Sequence, residues 1–178
     1  MRYRNEIEMY PDVIAWLGRI LRERFSGAEV DVRDTHAFPL NEYVKRNGLQ
    51  QYFQSNIWQT FEIRVDITAF MIHREQPTLV FVECKIIPIS LLHVSQLLGY
   101  SRVARPLLSY LISTKGIGSA VMGLISRYDR TDILEYEWHK GKMPSTLVLG
   151  TWNISTKSLE PASVLPPGVF GENLCITL

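Results

Sequence analysis

The stretch 78–87, reading TLVFVECKII, constrains the fold more than any other part of the chain. Its first half is apolar at successive positions, so an extended backbone there buries both of its faces. The Val and Phe side chains also favour a pleated strand. A strand of this kind sits in the middle of a sheet with helices on both sides, and Pro88 ends it. Yet the same strand closes on Glu83 and Lys85, two positions apart and therefore on one face, with Cys84 on the other. Taking a carboxylate and an ammonium out of water costs on the order of several kcal/mol unless they are paired or bind an ion. A strand built only for packing would end in Ile or Thr.

A second acid belongs to the same neighbourhood. Residues 61–70 alternate, with Ile63, Val65 and Ile67 on one side and Glu62, Arg64, Asp66 and Thr68 on the other. A polar turn over 73–77 folds this predicted strand back against 78–87. Asp66 then stands near Glu83 and Lys85. Two carboxylates beside a lysine suit a hard cation such as magnesium, whose preferred ligands are oxygens. A Glu83–Lys85 or Asp66–Lys85 ion pair at a sheet edge accounts for the same pattern. Strand geometry leaves both open.

Around this hairpin the spacing predicts a helix over 10–25, with Pro11 in its first turn and Ser26-Gly27 as its stop. A strand is expected over 28–34, and an amphipathic helix from Leu40, Tyr43, Val44, Leu49, Tyr52 and Phe53, with Lys45 and Arg46 left open as substrate contacts. Further on come a helix over 90–104, a strand over 107–113, a helix over 117–128 and a last strand over 146–152. On the 90–104 helix, Gln96 and Tyr100 share a face with His93, while Leu91, Val94 and Leu98 share another. Residues 135–140 read as a solvated turn. This order predicts an α/β domain with helices packed on a mixed sheet. One domain spans 1–178, with a core of about 6–152 and a Pro-containing tail over 153–178.

Composition narrows the function. Lys and Arg number 19 against 18 Asp and Glu, so a protein that coats nucleic acid by global charge is excluded and any polyanion site is local. Apolar residues at 46% exclude disorder as the main state. Cys84 and Cys175 are too few for a disulfide framework or a zinc cage, and read as reduced thiols. Acids near the N-terminus and charges throughout the apolar middle argue against a signal peptide and a membrane span, so the expected setting is cytoplasmic. The histidines lack metal spacing. Gly116-Ile117-Gly118 is a fragment of a dinucleotide fingerprint that reads better as a tight turn before a helix; its amides could still hold one phosphate.

Taken together, Arg64-Val65-Asp66-Ile67, then Val82-Glu83-Cys84-Lys85, then Gln96-Leu97-Leu98-Gly99-Tyr100 resemble the PD-(D/E)XK nuclease superfamily. The last piece looks like the QxxxY motif of its RecB-like and Cas4-like branch. The resemblance implies a restriction-endonuclease-like core, a central mixed β-sheet flanked by α-helices, and Mg²⁺- or Mn²⁺-dependent hydrolysis of DNA. It implies that Asp66, Glu83 and the main-chain carbonyl of Cys84 hold the metal. Lys85 would orient the attacking water or stabilise negative charge, and Gln96 and Tyr100 would position the nucleic acid, with Arg64 beside them. Such nucleases often add an acid from the first helix. Glu6, in phase with the Tyr10–Val13–Leu17 stripe, is a better candidate than Glu8, although a surface acid near a helix N-terminus is the plain alternative. A RecB-like exonuclease and a Holliday-junction-resolvase-like endonuclease, which would dimerise, both fit. Specificity would come from DNA structure or from a partner protein such as a helicase. Arg64, Lys85 and Arg102 are expected to gather around one acidic cleft. The rival reading is a catalytically inactive nucleic-acid-binding or assembly module of the same fold.

Overall fold

The computed structural model describes residues 2–53, 55–137 and 145–167. The sequence expectations for Trp138, His139, Lys140 and Cys175 lie outside the described residues. Helix α1 (Tyr10–Arg24) begins with Pro11 in its first turn. Gly27, with φ of +80°, turns the chain out of it. Strand β1 (Glu29–Asp34) follows, then the short helix α2 (Leu40–Arg46). Strands β2 (Ile67–His73) and β3 (Gln76–Lys85) form a hairpin. Helix α3 (Leu91–Ala104) crosses over to β4 (Leu108–Ser113), and α4 (Ser119–Met122) runs into a wider π-helical turn, Gly123–Arg127. Strands β5 (Glu135–Glu137), β6 (Ser145–Asn153) and β7 (Ser158–Leu159) complete the sheet.

The fold is mixed α/β. Seven strands lie in the order β1-β2-β3-β4-β6-β5, with β7 also on β6. Strands β1, β2 and β3 are antiparallel neighbours, while β3, β4 and β6 run parallel. The central place of β3 explains its double-sided apolar run. Val80, Val82 and Cys84 face α1 among Val13, Trp16 and Leu17. Leu79 and Phe81 face the other helices with Val44, Val94 and Leu97. Trp16 meets the rings of Tyr110 and Trp152 edge-on, both at 5.6 Å. Truncating such a buried indole would cost about 3–5 kcal/mol, which makes α1 an integral layer of the core.

Several expectations need correction. The alternating run 61–70 is not one strand: β2 starts only at Ile67. Upstream, Ile63 O and Phe61 O accept hydrogen bonds from the first amides of α2, so that backbone serves a helix rather than a ladder. The turn is also shorter than 73–77, because Arg74 and Glu75 both take positive φ and close a two-residue hairpin between His73 and Gln76. The helix expected from Leu40 to Phe53 stops at Arg46, and Gln50–Tyr52 and Ser55–Thr60 form 3-10 turns. The apolar face of α3 is Val94, Leu97 and Ser101, with Ala104, rather than Leu91, Val94 and Leu98; Leu91 is exposed. Glu135 to Glu137 is a strand and not a solvated turn, held by buried Tyr136, whose hydroxyl donates to Pro106 O. Nor is β6 the last strand: Leu159 and Leu165 pack back on it. Among the described residues, no helix is long and apolar enough to cross a membrane.

Candidate active site

Register brings the acids together. Antiparallel pairing sets Ile67 opposite Val82, so Asp66, one step before β2, stands across from Glu83. Asp66 is fixed at both oxygens: Tyr10 Oη donates to Oδ1 at 2.7 Å and the Cys84 amide to Oδ2 at 2.8 Å. Glu83 and Lys85 continue the row of Leu79 and Phe81 on the α3 face, and the Lys85 ammonium donates to Glu83 Oε1 at 2.9 Å. Lys85 Nζ also lies 3.6 Å from Glu6 Oε2 and 3.9 Å from Asp66 Oδ2. Glu6 comes from the segment just before a 3-10 turn, Ile7–Met9, that leads into α1. Glu8 turns away and accepts the Arg4 amide.

Three carboxylates therefore share one ammonium, leaving a surplus of negative charge in a mostly buried place. Glu83 and Lys85 are 5% and 8% exposed. Burial, and next the charge of Asp66, push the Glu83 carboxyl up to about 7, against the pull of Lys85. Burial also works against the Lys85 ammonium, but Glu83 and then Asp66 outweigh it and raise its pKa. Glu83 Oε2 is buried with no hydrogen-bond partner. Among the described residues, no three His, Cys, Asp or Glu side chains form a ready metal cage; the acids converge on Lys85 instead.

The N-terminus of α3 borders this group. Ser90 caps the helix, exchanging hydrogen bonds with His93. Burial and the nearby Lys85 charge lower the His93 pKa. Gln96 Nε2 donates to Tyr100 Oη at 3.1 Å further along the helix, at the surface. Cys84 is fully buried on the α1 face, and burial drives its thiol pKa far above the usual range, so it is chemically quiet.

Not every basic residue gathers here. Arg64 is exposed two residues before Asp66, and Arg102 sits in the last turn of α3, donating to Glu135 O. Of Arg64, Lys85 and Arg102, only Lys85 joins the acids, because Arg102 lies at the far end of its helix. The Gly116–Gly118 turn is no phosphate cradle: the Gly118 amide donates to Ile89 O, and Gly116 O accepts from Ile89. Arg46 is tied to Glu42 and lies over the Phe38 ring. Sequence reasoning counted Tyr10 as one more apolar stripe position and missed its hydroxyl. The only available signal was a phenol at the helix start, where its oxygen can leave the core.

No protein-family model matches the chain, and no curated protein matches it. Among solved structures, the MspJI restriction endonuclease in complex with a 27-mer oligonucleotide is similar with a TM-score of 0.37 and 14% identity. The likeness covers 81% of this chain and 26% of that one. A likeness of this size assigns neither family nor activity.

Proposed function

We propose that the chain is a divalent-metal-dependent nuclease that hydrolyses DNA phosphodiester bonds. The observation that carries this reading is the convergence of Glu6, Asp66 and Glu83 on Lys85 at the end of a buried strand. Three carboxylates against one ammonium leave an excess of negative charge, relieved in the absence of a cation by the proton that Glu83 retains, and Glu83 Oε2 is a buried oxygen without a partner. Oxygen donors with that charge fit a hard divalent cation. Asp66, Glu83, the Cys84 carbonyl and Glu6 would hold Mg²⁺ or Mn²⁺. When bound, such an ion supplies positive charge at a scissile phosphate and makes water more acidic.

The chain's own groups have distinct tasks. Tyr10 and the Cys84 amide fix the Asp66 carboxylate in one orientation. Lys85, its pKa raised, keeps its proton across neutral pH and offers a positive charge where water is scarce. Gln96 and Tyr100 would meet the strand by hydrogen bonding and stacking, and Arg64 would meet a backbone phosphate. Assignment to a RecB-like exonuclease rests on the Gln96–Tyr100 pair alone; a dimeric structure-selective endonuclease would use the same chemistry, with or without a helicase partner.

One observation favours a second reading. Lys85 already contacts all three acids, as it would in a catalytically inactive module of the same fold that keeps its charges as an ion-pair network. Incubating labelled single- and double-stranded DNA with the protein in Mg²⁺, Mn²⁺ or EDTA separates the two. Metal-dependent cleavage lost in Asp66→Ala and Lys85→Ala supports the nuclease. Binding without cleavage under every metal condition supports the module.

A further inference from the structure

A cavity of about 400 Å³ opens past the ends of β3 and β4, where Tyr3, Ile86 and Ile154 pack on the α1 side of the sheet. Its walls include Arg2, Arg4 and Lys115, with Thr114 and the apolar Ile86 and Ile154. It shares the strand end that carries the candidate chemistry, with Ile86 alternating from Lys85 onto the α1 side. Ile86 directly follows Lys85, Arg4 lies two residues before Glu6, and the Thr114 amide donates to Lys85 O. Parallel pairing of Lys85 with Ser113 brings the ends of β3 and β4 out together at this point.

Many surface cations stand beside acids, such as Arg19 with Glu23 and Arg33 with Asp31, and others, such as Arg22, bond only backbone carbonyls among the described residues. The cavity is distinctive in gathering three cations around one hollow. Among the described residues, the side chains of Arg2, Arg4 and Lys115 have no carboxylate partner. Three like charges around one hollow repel each other unless an anion sits among them. The volume lies in the range of small-ligand pockets, larger than a single ion needs. Cations beside two isoleucines suit a phosphate carrying an organic group, such as a nucleotide unit.

We propose that this cavity binds a phosphate of the nucleic-acid strand next to the one at Lys85, holding the strand in register with the acid cluster. The inference rests on the nuclease reading and adds a second contact point for the same substrate.

The double variant Arg4→Gln/Lys115→Gln tests it, since both side chains are exposed and their removal spares the core. Binding of a labelled oligonucleotide is measured in EDTA over a salt series, so that cleavage plays no part. The expected result is a drop of about 2 in the slope of log K against log salt, one for each charge removed. A roughly tenfold weaker Kd at low salt accompanies it. An unchanged slope, or an equal drop in the distant control Arg127→Gln, overturns the proposal. So does pyrophosphate that binds the parent protein but not the variant while strand binding is the same in both, which marks a site for free small phosphates. A lost slope with no cleavage by the parent protein in Mg²⁺ or Mn²⁺ overturns the nuclease reading and keeps the strand contact. Full cleavage with an unchanged slope does the reverse.

Discussion

Tyr10 and Asp66, 56 positions apart in the chain, are joined by a 2.7 Å hydrogen bond from the phenol to the carboxylate. The bond ties the layer of α1 to the mouth of the β2–β3 hairpin. Burial, and then the Asp66 charge, raise the Tyr10 pKa, so the phenol remains a donor at every working pH. Hydrogen bonds to charged groups contribute about 1.5–3 kcal/mol, and Tyr10→Phe removes one without opening a cavity. The variant is expected to lose stability in that range and, on the metal-site reading proposed above, to bind Mg²⁺ more weakly, because the Cys84 amide is then the hydrogen-bond donor left to orient Asp66. Denaturant unfolding and a metal titration by calorimetry check both. Unchanged metal affinity would show that the phenol serves packing only.

Lys85→Ala leaves three acids facing one another without their counter-ion. Removing one partner of a buried pair costs about 3–5 kcal/mol, and the melting temperature in EDTA should fall accordingly. A divalent cation held by the same acids would restore part of this loss. Mg²⁺ at about 100 times its Kd adds about 2.7 kcal/mol by mass action. Thermal unfolding with Mg²⁺ and with EDTA, in Lys85→Ala and in Asp66→Ala, gives the comparison. Equal Mg²⁺ shifts in the two variants would place the cation elsewhere.

The hairpin and its charges were legible because a buried central strand has little reason to carry Glu83 and Lys85, and period-two alternation fixes their shared face. The partnership of Asp66 with Glu83 was legible as well, although its strand was drawn too early. Alternation at 61–66 reports a buried side and an exposed side; it does not tell a ladder from an extended segment bonded to α2. Strand β5 was hidden because Glu135 and Glu137 flank a single buried tyrosine, which is too short a pattern to show a period. The place of Arg102 was not legible either. Helical spacing gives its face, but only tertiary packing decides which end of α3 meets the acids.

Glu83 makes stability depend on pH. Its carboxyl is raised from the ordinary 4.5 to about 7, so between those values the folded protein holds a proton that the unfolded chain has released. More protons bound in the folded state means that stability falls as pH rises through this window. The full loss is on the order of a few kcal/mol, at about 1.4 kcal/mol per pKa unit. Lys85 stays protonated throughout and does not alter the sign. Unfolding in EDTA at pH 5 and pH 8 should show the parent protein weaker at pH 8, and Glu83→Gln with a flatter profile. His93, with its lowered pKa, works the opposite way in this window but is common to both proteins, so a Glu83→Gln profile no different from the parent's would mean that the carboxyl is not raised.

Two glycines on either side of the α3 entry should respond oppositely to alanine. A Cβ on Gly118 would meet Ile89 O at 2.6 Å, and that carbonyl already accepts the Gly118 amide at 2.9 Å. This contact clips the loop that carries β3 into α3, so the backbone cannot yield without moving the helix N-terminus beside Lys85. Gly118→Ala is expected to cost about 1–3 kcal/mol, as overpacked interiors do. Gly99 lies inside α3 with open space around its Cβ position. Gly99→Ala should stabilise by about 0.5–1 kcal/mol, since glycine in a helix interior gives up more chain entropy on folding. Parallel denaturant titrations of the two variants decide it. A neutral Gly118→Ala would show that the loop relaxes freely, and the placement of α3 against the acid cluster would then need another anchor.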